Sequence, residues 1–141
     1  LPNVTIYKDD RNCLVIDARK VAEEIIFTND VIQLVSDKQF EWLGRFDNVI
    51  NSGGIKLHPE KIEEKLAKII TNRSCVIGIP DEKMGEKLVL IVEGKKQDVN
   101  FENTDLSKFE IPKEIYFVDS FIETDSGKIH RKKTLEKILT K

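Results

Sequence analysis

At 141 residues, 40% hydrophobic and 34% charged, the chain has the composition of a globular body able to bury roughly two thirds of its unfolded surface. Its 23 Lys and Arg against 25 Asp and Glu leave a formal charge of -2 with no basic block at either end, which argues against nucleic acid as a partner. No run approaches the roughly 18 apolar residues of a membrane span, and no basic segment leads into an apolar signal-like core. A cytoplasmic protein is therefore expected. The chain starts Leu1-Pro2-Asn3 without an initiator methionine, and an upstream domain is expected before it.

In chain order, residues 1 to 43 read as short strands. Cys13-Leu14-Val15-Ile16, Glu24-Ile25-Ile26-Phe27 and Val31-Ile32-Gln33-Leu34-Val35 are apolar runs, and Gln39-Phe40-Glu41-Trp42-Leu43 alternates. Asp9-Asp10-Arg11-Asn12, Thr28-Asn29-Asp30 and Ser36-Asp37-Lys38 supply turn residues between them. Four strands with one exposed face are few for an independent domain, so this section reads as the remnant of a larger β-rich body.

After Asp47 the period changes. Val49-Ile50 and Ile55-Lys56-Leu57 are expected to pair across Ser52-Gly53-Gly54, whose glycines supply the positive φ of a tight hairpin. Pro59 suits the first turn of a helix. Ile62, Leu66 and Ile69 mark its buried stripe, Glu63, Glu64, Lys65 and Lys68 its wet side, and Thr71-Asn72-Arg73 its end. Ser74 to Ile79 is a strand stopped by Pro80, and Asp81 to Glu86 a charged turn. Lys87 to Glu93 is the strongest strand of the chain. A polar surface loop from Gly94 to Asn103, a short helix near 104–109, a strand over Lys113 to Val118 and a final helix from His130 to Leu139 follow. In that helix Leu135, Ile138 and Leu139 are expected to face inward. The fold class is α+β: a C-terminal three-stranded sheet with flanking helices and a small glycine hairpin, preceded by the β-rich remnant.

Each chemically suggestive feature has a bland counterpart. Gly53-Gly54 has neither dinucleotide nor P-loop spacing, so it is a turn unless context says otherwise. Lys128, in the turn Thr124-Asp125-Ser126-Gly127-Lys128, can offer its ammonium to phosphate or carboxylate oxygens or merely solubilise the surface. Arg45 and Asp47 fit a salt-bridged domain boundary as well as a ligand site, and Asp30 is a carboxylate able to accept from a ribose diol. His130 and His58 have no partner that the sequence identifies. Cys13, Cys75 and the two histidines lack metal-ligand spacing, and no metal site is expected.

Taken together, three separated segments resemble the acyl- and aryl-CoA synthetases of the adenylate-forming ligase superfamily. Gly44-Arg45-Phe46-Asp47 leads into the glycine hairpin and the Pro59-Glu60-Lys61-Ile62-Glu63 helix entrance. Thr124 to Lys128 is followed by Arg131, and Thr28-Asn29-Asp30 stands where the family has Thr-Gly-Asp. The departures are Asn29 for glycine, Asn48 for a frequent second aspartate, and Ile122 near a frequent proline. Within the superfamily, these segments are most similar to the 2-succinylbenzoate-CoA ligases of menaquinone biosynthesis.

The resemblance implies that residues 1–46 are the distal part of the large adenylation domain and 47–141 a small mobile C-terminal domain. It implies that Asp30 and Arg45 contact the AMP ribose, Asp47 is the hinge, Lys128 serves adenylation, and Gly53 and Gly54 help line the pantetheine route. ATP, Mg2+ and CoA are the implied cofactors, with a small carboxylic acid as substrate and the missing large domain as partner. Homo-oligomerisation is left open. The fragment alone is expected to be inactive. The alternatives are another acyl-, aryl-CoA or carrier-protein ligase, or a noncatalytic interaction domain.

Overall fold

The computed structural model describes residues 3–102 and 104–139. Leu1, Pro2 and Asn103, at the edges of the start and the loop expected above, lie outside the described residues. The chain divides into two compact units, residues 1–49 and 50–141, and its architecture is α+β.

The first unit is an antiparallel meander of β1 (Thr5–Lys8), β2 (Cys13–Asp17), β3 (Ile25–Leu34) and β4 (Phe40–Arg45), paired in chain order. A one-turn helix, α1 (Arg19–Ala22), lies between β2 and β3. Neither β1 nor α1 is marked by an apolar run. The larger correction concerns Thr28-Asn29-Asp30, which is not a turn between two strands. It lies inside β3, at a bulge where β3 advances from Phe27 to Val31 while β2 runs only from Val15 back to Cys13. Thr28 Oγ1 donates to the Leu14 carbonyl at 2.7 Å, so a polar side chain satisfies backbone that the bulge takes out of the ladder.

The second unit is a five-stranded mixed sheet. The expected long strands β7 (Ser74–Asp81), β8 (Gly85–Glu93) and β9 (Glu114–Val118) are joined by the hairpin β5 (Ile50–Ser52) and β6 (Ile55–Leu57). β7 runs antiparallel along one side of β8. On the other side β5 meets Gly85 and β9 runs parallel to residues 89–93. A parallel neighbour needs a crossover, and the 94–113 segment supplies it. It is not simply a surface loop, because Val99, Phe101 and Leu106 pack onto the core, and its expected helix is a short 3-10 turn, Lys108–Glu110.

The unbroken apolar run of β8 follows from burial on both faces. Leu88, Leu90 and Val92 pack with Ile62 and Leu66 of α2 (Pro59–Leu66), whereas Ile91 packs with Cys75, Val118, Phe121 and Ile138 of α3 (Arg131–Leu139). α2 stops at Leu66, earlier than expected, and the next turn buries Ile70 and leaves Ile69 exposed. In α3 the fully buried residue is Thr134, while Leu139 is exposed. Thr134 satisfies its hydroxyl by donating to the His130 carbonyl at 2.8 Å and accepting from the Ile122 N–H at 3.2 Å. Pro80 does not stop β7 but continues it, which an edge strand tolerates. Among the described residues, no helix is long and apolar enough to cross a membrane.

Candidate functional site

In the first unit, register brings Asp30 on β3 directly opposite Arg45 on β4. Arg45 Nη1 donates to Asp30 Oδ1 at 2.9 Å, and the Trp42 indole N–H donates to the same oxygen at 3.3 Å. The two charged side chains are 48% and 28% exposed, so the pair contributes at most about 1 kcal/mol to stability. Its consequence is orientation: a carboxylate held at an accessible sheet surface with an arginine beside it. Arg11 supports the same stretch, donating to Asn29 Oδ1 at 3.0 Å and the Thr28 carbonyl at 3.1 Å while lying over the Phe46 ring at 4.8 Å.

Sequence reasoning missed Arg11 and Trp42. Trp42 was legible only as one face of a strand, and Arg11 as part of a turn. The signal for Arg11 was Asn29, a side-chain acceptor in place of the glycine of the resembled Thr-Gly-Asp pattern.

Asp47 is exposed within a 3-10 turn, Phe46–Asn48, that leads out of β4. The adjoining glycine turn belongs to the second unit. Ser52 and Ile55 form the last pair, so Gly53 and Gly54 make a two-residue loop with φ of 59° and 83°, the mirror-image turn that matches strand twist. The hairpin is tied to the β7–β8 turn: the Gly53 N–H donates to the Met84 carbonyl at 2.8 Å, and the Asn51 N–H donates to Glu86 Oε1 at 2.9 Å. Val49 precedes β5 and takes no part in the hairpin.

Lys128 lies on an exposed loop closed at its base by the antiparallel pair Glu123 and Ile129. The Thr124 N–H donates to the Lys128 carbonyl at 2.7 Å, the Gly127 N–H to the Thr124 carbonyl at 2.9 Å, and the Lys128 N–H to Thr124 Oγ1 at 3.2 Å. Gly127, at φ 84°, makes this tight path accessible. Threonine, glycine and lysine thus have distinct jobs: a side-chain acceptor, a left-handed turn and a projected cation.

The histidines separate. His130 caps α3, its Nδ1 accepting from the Lys133 N–H at 3.2 Å. His58 precedes α2, and its Nδ1 is buried without a hydrogen-bond partner. Desolvation holds the His58 imidazole below its ordinary pKa, against the opposing pull of Glu60. Cys13 and Cys75 are free and buried in different units. Among the described residues, no group of three or more His, Cys, Asp or Glu forms a metal cluster.

Glu63 is the largest departure from the sequence reading. Expected on the wet side of α2, it is half-buried and bidentate with Arg131, Nη2 donating to Oε1 at 2.9 Å and Nη1 to Oε2. Burial opposes the charge on Arg131, and the Glu63 carboxylate more than offsets it, keeping the guanidinium pKa raised.

No protein-family model matches the chain. Curated relatives do. The chain is 30% identical to an oxalate-CoA ligase of Arabidopsis thaliana over 99% of its own length and 28% of the relative's. It is 32% identical to the 2-succinylbenzoate-CoA ligase of Lactococcus lactis over 74% of its length and 24% of the relative's. Among solved structures, an acyl-CoA synthetase (AMP-forming)/AMP-acid ligase II-like protein of Dyadobacter fermentans aligns with TM-score 0.59 and 31% identity, over 98% of this chain and 42% of that one.

The chain belongs to the adenylate-forming acyl- and aryl-CoA ligase superfamily. ATP, Mg2+ and CoA are the shared cofactors of that superfamily. The chain spans about a quarter of the length of the curated relatives it matches. Their named acids differ at similar identity, so 2-succinylbenzoate is not singled out.

Proposed function

We propose that this chain is the C-terminal part of an ATP-dependent acid-CoA ligase, with residues 1–46 completing the adenylation domain and 47–141 forming the mobile domain. The observation that carries the reading is the Asp30–Arg45 pair, accessible and oriented on adjacent strands, in a chain of this superfamily. A ribose presents two hydroxyl donors, and Asp30 is an acceptor-only group with its Oδ1 held by Arg45 and Trp42. Those residues therefore fit the sugar of a nucleotide.

In the first half-reaction, a carboxylate oxygen of the acid attacks the α-phosphorus of ATP and pyrophosphate leaves, giving an acyl adenylate. Asp30 and Arg45 orient the ribose, and the Lys128 ammonium meets the negative charge on the carboxylate and α-phosphate oxygens. Such a preorganised donor contributes about 10²–10³ in rate. Mg2+ accompanies ATP and is assigned no ligand in this chain. In the second half-reaction, the CoA sulfur attacks the acyl carbon, AMP departs, and the thiol proton is lost. Asp47 is the pivot between the two arrangements, and the Gly53-Gly54 turn allows the pantetheine arm to approach bare backbone.

The acid is proposed as a small carboxylic acid, with 2-succinylbenzoate the candidate from the narrower resemblance and carrier-protein thiols the competing acceptor. The isolated chain is proposed to be inert, because adenine and acid need walls that belong to the rest of the ligase. The test is Lys128→Ala in the full-length protein, with an acid panel that includes 2-succinylbenzoate and oxalate. Adenylation should fall at least about 100-fold, while a preformed acyl adenylate still reacts with CoA. Equal loss in both half-reactions would argue against a role confined to adenylation. No loss in either would favour a noncatalytic domain.

A further inference from the structure

The loop that carries Lys128 is short, exposed and rich in small polar residues, a composition that by itself leaves a lysine free to wander. One side chain from elsewhere in the fold holds it at several points. Arg73, between α2 and β7, donates from Nη2 to the Gly127 carbonyl at 3.1 Å, pairs with Glu123 Oε2 at 2.9 Å, and lies over the Phe121 ring at 5.7 Å. These contacts span both limbs of the loop, and Gly127 is the residue next to Lys128.

Arg73 is itself anchored to the sheet. Its carbonyl accepts from the Glu93 N–H at 2.8 Å, and the Glu93 carboxylate accepts from the Phe121 N–H at 2.9 Å. The end of β8 therefore fixes both the arginine and the start of the segment it grips. Nη2 alone meets both the carbonyl and the carboxylate while the guanidinium plane lies over the aromatic ring, a flat and delocalised contact that the compact, strongly hydrated lysine ammonium makes less well.

We propose that Arg73 is the positioning residue of the adenylation lysine: it clamps residues 121–127 to the sheet so that the Lys128 ammonium projects along one direction. The proposal rests on the role assigned to Lys128 under the proposed function. Arg73 touches no substrate in this account and acts only through the loop.

The experiment compares Arg73→Ala and Arg73→Lys with wild-type full-length ligase, using hydrogen exchange at the 124–128 amides and the two half-reactions measured separately. Arg73→Ala is expected to speed exchange in that loop and to lower the adenylation kcat by up to about 100-fold, the scale of a misplacement of about 1 Å in a catalytic group. KM for ATP and the reaction of preformed acyl adenylate with CoA should stay near wild type. Arg73→Lys, which keeps the charge but loses the planar face over Phe121, should restore adenylation only in part. Unchanged loop exchange would overturn the clamp. Faster exchange with unchanged adenylation would overturn the positioning role, as would equal loss in both half-reactions. Lys128→Ala runs alongside: if it leaves adenylation intact, the functional reading of Lys128 fails and takes the catalytic half of this proposal with it, whatever the exchange data show.

Discussion

Arg131 and Glu63 form a bidentate ion pair around the free edge of β7, and between them they bond both polar groups of Val76. Arg131 Nη1 donates to the Val76 carbonyl at 2.8 Å, and the Val76 N–H donates to Glu63 Oε2 at 2.9 Å. α2 and α3 cover opposite faces of the sheet, so the pair links the two helices and blunts an edge that would otherwise offer unpaired backbone. Removing one partner leaves a half-buried charge alone. Arg131→Ala and Glu63→Ala should each destabilise the fold by about 2–4 kcal/mol, with Glu63→Gln milder because it can still accept and donate. Urea unfolding measures this; a loss near zero would show the pair to be ornamental.

The glycines of the hairpin should differ in cost. A Cβ on Gly53 would stand 2.9 Å from Met84 Cε, whereas one on Gly54 would meet nothing within 4 Å. Both positions have positive φ, so each alanine carries roughly 1 kcal/mol of backbone strain. Gly53→Ala is expected to add about 1 kcal/mol while the Met84 tip is displaced. Thermal unfolding should rank wild type, Gly54→Ala, Gly53→Ala in falling order, and the reverse order of the variants would refute the contact.

Glu110 makes stability depend on pH. Burial works against its charge, but Lys65 at 2.8 Å and the Ser107 N–H at 3.0 Å prevail and leave its pKa lowered. A carboxylate lowered in the folded state stabilises fully above its unfolded pKa, near 4.5, and that contribution is lost as pH falls through the folded value. Denaturation from pH 7 to 3 should show a shallower acid loss for Glu110→Gln than for wild type. Parallel curves would remove Glu110 from the acid response.

Cys75 should be chemically silent. Burial pushes its thiol up to about 12, and Cys13 is buried with its pKa also raised, chiefly by desolvation. The thiolate is the reactive form, so neither should label with an aromatic disulfide at pH 8 until denaturant is added. Rapid labelling of the native chain would contradict the packing.

For the proposed hinge, proline at Asp47 locks φ at about −65°. Asp47→Pro in the full-length ligase should slow overall thioester formation while one half-reaction persists. Wild-type turnover would take Asp47 out of the pivot.

Several of these features were readable before any fold was known because their physics is local. Gly53-Gly54 permits the left-handed turn of a tight hairpin, Pro59 suits a helix start, and the run from Lys87 to Glu93 reads as a strand. The resemblance rests on equally local signatures, Gly44-Arg45-Phe46-Asp47 and Thr124 to Lys128. Thr28-Asn29-Asp30 was misread because turn composition cannot be told from a polar bulge that a neighbouring strand completes. Ile69 and Ile70 exchanged places because the helix ended at Leu66, and a periodicity extended past its last turn points the wrong way.

The sequence by itself determined the α+β class, the hairpin and the position of the lysine loop, since each is written in short stretches with local backbone demands, and it pointed to the family through three separated motifs read together. Only the tertiary structure decided that Asp30 faces Arg45, that Glu63 leaves the wet side for Arg131, and that Arg73 grips the loop of Lys128. The reason is distance along the chain. These partners lie 15, 68 and 54 residues apart, and strand register and helix placement, rather than composition, select which distant charge an arginine meets.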